Sequence, residues 1–201
     1  MVHELGHGLT ALVSGGHFES LKLYLDGSGI ARTRSPDSDW ASAAIAAGGL
    51  FGPPLAGAVL FVSARDARLA RLALIMAGAL LALALLLWVR NGFGWLWVGL
   101  CSTLIIAVAW RASASVVQAF TCFLAVQACL ACLASSDYLF VSRAMTAAGE
   151  LASDTAQIAA LLGGPHWFWG ALVWLLSLAT MLVGGWVFLR ALRTGSTMSP
   201  K

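Results

Sequence analysis

Charged residues are scarce in this chain, and their distribution does not fit a soluble protein. Lysine, arginine, aspartate and glutamate make up 10% of the 201 residues, against about 25% in soluble domains, whereas 60% of the residues are hydrophobic. Five stretches contain neither a charged residue nor a histidine: residues 40–62, 72–89, 93–110, 112–136 and 167–189. Each reaches or approaches the roughly 20 residues that a helix needs to cross a bilayer core. The composition therefore predicts an integral, multi-pass membrane protein surrounded by lipid.

The chain also lacks a disulfide framework and a strongly basic surface. All four cysteines, Cys101, Cys122, Cys129 and Cys132, lie inside apolar stretches, which is typical of small buried residues. Cys129 and Cys132 have the spacing of a metal or redox pair, but a single pair within a helix is weak evidence, and packing is the better interpretation. The basic residues behind the net charge of +3 stand at the ends of apolar stretches, as membrane anchors do, so no nucleic-acid partner is expected.

No secretory signal sequence is recognisable, because a histidine motif stands where a basic segment and then an apolar one would stand. Only Met1 and Val2 precede the first histidine. A membrane helix that carries a buried metal site is expected to begin further upstream. We therefore expect the first membrane helix to be truncated, and an in-frame apolar stretch of roughly ten or more residues before Met1 would complete it.

The apolar stretches predict an all-α polytopic membrane protein that forms a single domain over residues 1–201. About six membrane helices are expected, beginning with the truncated one over residues 1–14. The complete membrane helices are predicted over residues 40–63, 69–89, 93–110, 115–134 and 166–190. A short helix that carries Asp154 is predicted over residues 150–162.

A small β-hairpin is predicted over residues 18–34, after the first helix. Apolar and polar residues alternate from Leu21 to Asp26, which is typical of a strand with one buried face. The sequence Asp26-Gly27-Ser28-Gly29 then supplies the residues of a tight turn. Such a hairpin presents an edge to which an extended peptide can add as a further strand.

The basic residues predict which helix ends share a side of the membrane. The helices alternate consistently if one set faces the cytoplasm: Arg65, Arg68, Arg71, Arg111, Arg190, Arg193 and Lys201. Arg90, Arg143 and the hairpin then lie on the opposite side, together with the polar segment over residues 135–165. Asp154 can therefore approach the first helix without crossing the bilayer.

The residues that carry chemistry are at the beginning of the chain, in His3-Glu4-Leu5-Gly6-His7. Two histidines four positions apart project from one face of a helix and can bind one metal ion. Zinc lowers the pKa of a bound water toward about 7, and the glutamate beside the first histidine can take its proton. His3 and His7 are therefore candidate zinc ligands and Glu4 is the candidate general base. Polar groups at membrane depth are costly and usually functional, which favours this interpretation over a chance match.

A catalytic zinc site usually has three protein ligands, and the residues alone leave the third one open. His17 follows the glycines that end the first helix, and His166 begins a tryptophan-rich helix at the membrane interface. Asp26 precedes a glycine in a turn, where aspartate has an ordinary conformational role. Asp154 lies on the short, weakly polar helix, where its alternative role is that of a helix N-cap.

Four sequence elements follow one another over nearly the whole chain: HELGHGLTALVSGG, a hairpin with DGSG, AAGGLFGPPLAG and ASDTAQIAALLGGPHWFWG. This order resembles the compact bacterial, B-like branch of the site-2 protease family of membrane zinc metallopeptidases. The resemblance implies that His3, His7 and Asp154 bind Zn²⁺ and that Glu4 is the general base. By this resemblance the Ser-Asp element is expected to stand in for the Asn-Pro-Asp-Gly or Leu-Asp-Gly motif of other members. The resemblance also implies intramembrane proteolysis of membrane-associated protein substrates in the bacterial cell membrane.

A catalytically inactive membrane scaffold or regulatory family member is the alternative function. A small transporter fits less well, because ionisable residues would then be expected in several mid-membrane helices, and the five apolar stretches carry no charged residue. Tightly bound zinc distinguishes a peptidase from a scaffold.

Overall fold

The computed structural model describes residues 1–134, 137–146 and 149–196, so Lys201 of the predicted cytoplasmic set lies outside the described residues. Within these ranges the chain forms seven α-helices and two β-hairpins. Five helices are long and apolar enough to cross a membrane: α2 (Asp39–Ala64), α3 (Ala67–Leu87), α4 (Gly92–Arg111), α5 (Ala114–Ala134) and α7 (His166–Ser196). The shorter helices are α1 (Val2–Val13) and α6 (Asp154–Leu162). The predicted fold class, an all-α membrane protein with a small hairpin after the first helix, is confirmed, whereas the single domain over residues 1–201 stays a prediction.

Three helices begin where a side chain accepts a free backbone N–H group. Ser38 Oγ accepts the N–H of Ala41 at 3.4 Å and starts α2. The Asp66 carboxylate accepts the N–H groups of Arg68 and Leu69 at 2.9 and 3.0 Å, which starts α3. Ser153 Oγ accepts the N–H of Ala156 and starts α6. The N-cap of α6 is therefore Ser153, and the carboxyl of the next residue is free for another role.

Glycines allow α1 and α2 to approach each other closely. A Cβ atom on Gly6 would lie 2.2 Å from the carbonyl oxygen of Gly48, and a Cβ atom on Gly49 would lie 2.2 Å from the ring of His7. Small residues at such contacts are how membrane helices bring their backbones together. Because α2 also contacts α5, α6 and α7, it holds α1 and α6 on one scaffold.

The buried residues form two clusters that fix the layers of helices. One cluster joins α3, α4 and α5 to the first hairpin and includes Leu21, Leu74, Val98 and Val117. The other lies between α2, α6 and α7 and includes Ala46, Leu50, Ile158 and Val173. The second cluster seats the short helix α6 against the central helix α2.

The first hairpin consists of β1 (His17–Leu23) and β2 (Gly29–Arg34), which pair antiparallel with Lys22 opposite Ile30. Ser28 closes the turn by donating both its N–H and its hydroxyl to Asp26 Oδ1, at 2.9 and 2.7 Å. Gly27 has a φ of +85°, which favours glycine at this position.

The outer edge of β1 is attached to the connection between α3 and α4. Leu21 donates its N–H to the carbonyl of Trp88 at 2.7 Å and accepts the N–H of Arg90 at 3.0 Å. The Asn91 side chain both accepts from and donates to the backbone of Leu23. Because this pairing takes up residues 88–90, α3 ends at Leu87, before the predicted end at residue 89.

A second hairpin, β3 (Arg143–Thr146) and β4 (Gly149–Ala152), follows a 3₁₀ turn over Asp137–Phe140. The predicted helix over residues 150–162 is therefore too long, since residues 150–152 belong to β4. The N–H of Ser153 still bonds to the carbonyl of Ser142 at 3.0 Å and its hydroxyl donates to the carbonyl of Val141 at 2.6 Å, so the N-cap of α6 is held at the end of this hairpin. Strands of four residues are too short to show a period in the sequence.

Candidate metal centre

His3, His7 and Asp154 bring one ligand atom each to a common point, although Asp154 lies on a helix far along the chain. Asp154 Oδ2 is 3.1 Å from His3 Nε2 and 3.5 Å from His7 Nε2, and the two histidine nitrogens are 3.1 Å apart. Ligand atoms about 2.0–2.1 Å from a tetrahedral zinc ion are about 3.3–3.4 Å from one another. The donor set and its spacing therefore fit a zinc ion.

The orientation of the His7 ring is fixed by a hydrogen bond at Nδ1, the ring nitrogen that does not face His3 and Asp154. Its Nδ1–H donates to the carbonyl of Ile45 at 2.7 Å, which leaves Nε2 as the ring nitrogen that faces Asp154 and can bind a metal. The absence of a side chain at Gly49 leaves room for the ring against α2. Sequence reasoning missed Ile45, because a backbone carbonyl has no sequence signature.

Replacing Gly49 by alanine is expected to displace the His7 ring from its position beside His3 and Asp154. The new Cβ would overlap the ring, and because both groups are enclosed between α1 and α2 we expect about 1–3 kcal/mol of destabilisation. Zinc affinity should fall at least about tenfold, as for loss of a residue that orients a ligand. Gly185→Ala is the matched control, since nothing lies within 4 Å of its Cβ position. Equal zinc titrations and equal thermal unfolding for both variants would contradict this expectation.

Glu4 is held by the edge of the first hairpin. Its Oε2 accepts the backbone N–H of Ala31 at 2.8 Å, and a Cβ atom on Gly29 would lie 2.7 Å from Glu4 Cγ. The carboxylate can still accept at Oε1 and at the second lone pair of Oε2. The hairpin thus sets the position of the carboxylate beside the two histidines.

These residues line one cavity of about 410 Å³, which is within the usual size range of small-molecule and peptide sites. Both hairpins contribute to its wall, β2 through Gly29, Ile30, Ala31 and Thr33 and β4 through Leu151 and Ala152. His3, Glu4, His7 and Asp154 all face it. The cavity therefore places a candidate metal centre beside two short strands.

The sequence profile of the family described as peptidase M50B-like matches residues 1–184. The chain belongs to the peptidase M50B-like family. The predicted membership of the site-2 protease family is thereby confirmed, and with it a fold of the membrane metallopeptidase type. No match was found among the curated proteins or the solved structures.

In this M50B-like protein the Asp154 carboxyl is almost enclosed, with 5% of the residue exposed. Burial acts to raise its pKa, but the hydrogen bonds and charges of His3 and His7 outweigh burial and hold the pKa well below its usual range. The carboxyl is therefore ionised at neutral pH, which is the form that binds a metal.

The other candidate ligands of the M50B-like chain lie away from this cavity. Asp26 is occupied by Ser28, whose hydrogen bonds lower the pKa of its exposed carboxyl. His17 is exposed at the start of β1, and the His166 ring contacts the carbonyl of Phe140 at 3.2 Å. None of the three candidates lines the cavity.

Tyr138 is a residue of the site that sequence reasoning missed. It lies on the 3₁₀ turn, lines the cavity and contacts Asp154 through its hydroxyl. Two features could have indicated it: it is one of two tyrosines in the chain, and it falls in the polar segment that carries Asp154.

Proposed function

We propose that this protein is a membrane-embedded zinc metallopeptidase that hydrolyses peptide bonds of membrane-associated protein substrates. The main support is the convergence of His3 Nε2, His7 Nε2 and Asp154 Oδ2 within 3.5 Å of one another. Glu4 lines the same cavity, and family membership supports a peptidase.

In this proposal His3, His7 and Asp154 would hold Zn²⁺, and three is the usual number of protein ligands at catalytic zinc sites. When bound, zinc supplies Lewis-acid chemistry that acidifies water and polarises a carbonyl. Glu4 would accept the proton of the attacking water on its carboxylate and return it to the leaving amine. Ala31 keeps the carboxylate in place through its bond to Oε2.

The edge of β2 is the proposed docking site for the substrate backbone. Gly29, Ile30, Ala31 and Thr33 of this strand line the cavity, whereas the opposite edge of the hairpin is taken by the α3–α4 connection. An extended substrate segment can add to β2 on either side of Ala31, whose N–H is engaged by Glu4. Substrates would therefore need to be extended at the cleaved bond.

We further propose that the protein resides in the bacterial cell membrane with the centre on the side opposite most arginines. Arg71 donates to the carbonyls of Ala109 and Ala112, which supports placing the start of α3 and the end of α4 on the same side of the membrane. Leu21 bonds to the residues that follow the other end of α3, which supports placing the first hairpin on the opposite side of the membrane.

Metal analysis tests the proposal. In lipid nanodiscs we expect one zinc ion per chain and cleavage of an unstructured fluorogenic peptide joined to a single membrane-spanning helix. A chelator should abolish cleavage, and Zn²⁺ but not Mg²⁺ should restore it, because the donor set includes two imidazoles.

The His3→Ala/His7→Ala variant should hold no zinc, whereas His17→Ala/His166→Ala should match the wild type. A wild-type protein that binds no zinc would refute the metallopeptidase and favour the inactive scaffold.

A further inference from the structure

Tyr138 makes two hydrogen bonds to one residue through a single hydroxyl. Its oxygen accepts the backbone N–H of Asp154 at 3.2 Å, and the hydroxyl donates to Asp154 Oδ2 at 3.1 Å. The backbone N–H can only donate, so the hydroxyl oxygen is the acceptor of the first bond and the hydroxyl proton is free to be donated to Oδ2 in the second. The hydroxyl proton therefore points at the oxygen that also faces His3 and His7.

The position of this hydroxyl is set by packing of the 3₁₀ turn. Leu139, the next residue, is buried, and a Cβ atom on Gly170 of α7 would lie 2.2 Å from its carbonyl oxygen. The Tyr138 ring stands edge-on to His3, with the ring centroids 6.1 Å apart. The turn thus holds the tyrosine between α7 and the histidines.

We propose that Tyr138 is a positioning residue for metal binding, whose hydroxyl selects the side-chain conformation of Asp154 that points Oδ2 at His3 and His7. This inference rests on the proposed zinc site. A carboxylate oxygen accepts in two directions, so Oδ2 can accept from Tyr138 in one and face a metal in the other. Outer partners of this kind orient metal ligands and typically change metal affinity by about 10–100-fold.

The test compares Tyr138→Phe with Tyr24→Phe, the other tyrosine of the chain, in full-length protein in nanodiscs. We expect Tyr138→Phe to raise the Kd for Zn²⁺ about 10–100-fold in competition with a chromophoric chelator, and Tyr24→Phe to leave it unchanged. The visible spectrum of the Co²⁺-loaded protein should shift for Tyr138→Phe alone, because it reports the geometry of the ligands. If Tyr138 only stabilised the fold, Tyr138→Phe would lower the unfolding temperature of the metal-free protein without shifting this spectrum, and that result would contradict the positioning role.

A double-mutant cycle with Asp154→Asn tests whether Tyr138 affects zinc binding through Asp154 or independently of it. If Tyr138 acts through Asp154, removing its hydroxyl in the Asp154→Asn background should change Kd less than twofold. Wild-type Kd and an unshifted Co²⁺ spectrum for Tyr138→Phe would overturn the inference. So would unchanged Kd with slower cleavage, since Tyr138 would then act on the substrate. Failure of the wild type to bind zinc would instead refute the proposed function.

Discussion

Replacing Glu4 by glutamine is expected to stop peptide cleavage while zinc stays bound. The amide keeps the size of the side chain, and its oxygen can still accept the N–H of Ala31, so the hairpin should stay in place. It cannot take up the proton of the attacking water, and loss of a general base typically costs about 10²–10⁴-fold in rate. Single-turnover cleavage of the membrane-tethered reporter peptide, together with zinc content, measures both effects.

Glu19→Gln is the matched control for this experiment. Glu19 lies on the first hairpin, which also contacts Glu4. Its carboxylate pairs with Arg34 at the surface, 2.6 Å away, and does not line the cavity. An exposed ion pair contributes little, so the control should cleave at the wild-type rate. Cleavage by Glu4→Gln at that same rate would remove Glu4 from the mechanism.

Replacing Asp154 by alanine is expected to lower zinc affinity by more than about 100-fold, because a direct ligand should exceed the effect of an outer partner. The change also leaves the hydroxyl of the half-buried Tyr138 without its carboxylate acceptor, which adds to the destabilisation. Asp154→Asn keeps the shape of the side chain and tests the ligand role with less disturbance of packing. Zinc titration of both variants gives the measurement.

Asp26→Ala serves as control and as a test of the rival ligand. Its carboxylate is exposed and bonds to Ser28, so zinc affinity should match the wild type. If Asp154→Ala retained zinc and Asp26→Ala lost it, the third ligand would be Asp26 of the first hairpin instead of Asp154.

The parts of this site that follow from local spacing could be predicted from the sequence. His3 and His7 share a helix face because four residues span about one turn, and Asp26-Gly27 marks a turn by its conformational preferences. Asp154 is different, since its approach to α1 depends on how α6 packs against α2. Residue properties alone left it among several candidates, and the order of motifs along the chain supplied the preference.

Other parts had no signal that a single sequence can carry. The carbonyl of Ile45 and the N–H of Ala31 are backbone atoms that any residue type would present. The hairpin of β3 and β4 is too short for its alternation to be separated from the polar start of a helix. Gly49 is visible in the sequence only as one of several glycines, and its contact with His7 appears only once α1 and α2 are packed.

The attachment of β1 to the α3–α4 connection has a consequence for how the cavity can be entered. Swinging the first hairpin outward would break the two hydrogen bonds at Leu21, the two at Leu23 and the bond from Ala31 to Glu4, and it would expose the buried side chain of Leu21. At a net value of about 1 kcal/mol each, the hydrogen bonds alone would keep the displaced state below about one molecule in a thousand. The first hairpin is therefore a stationary wall of the cavity that keeps Glu4 aligned, and in the proposed peptidase a substrate segment would enter without displacing it.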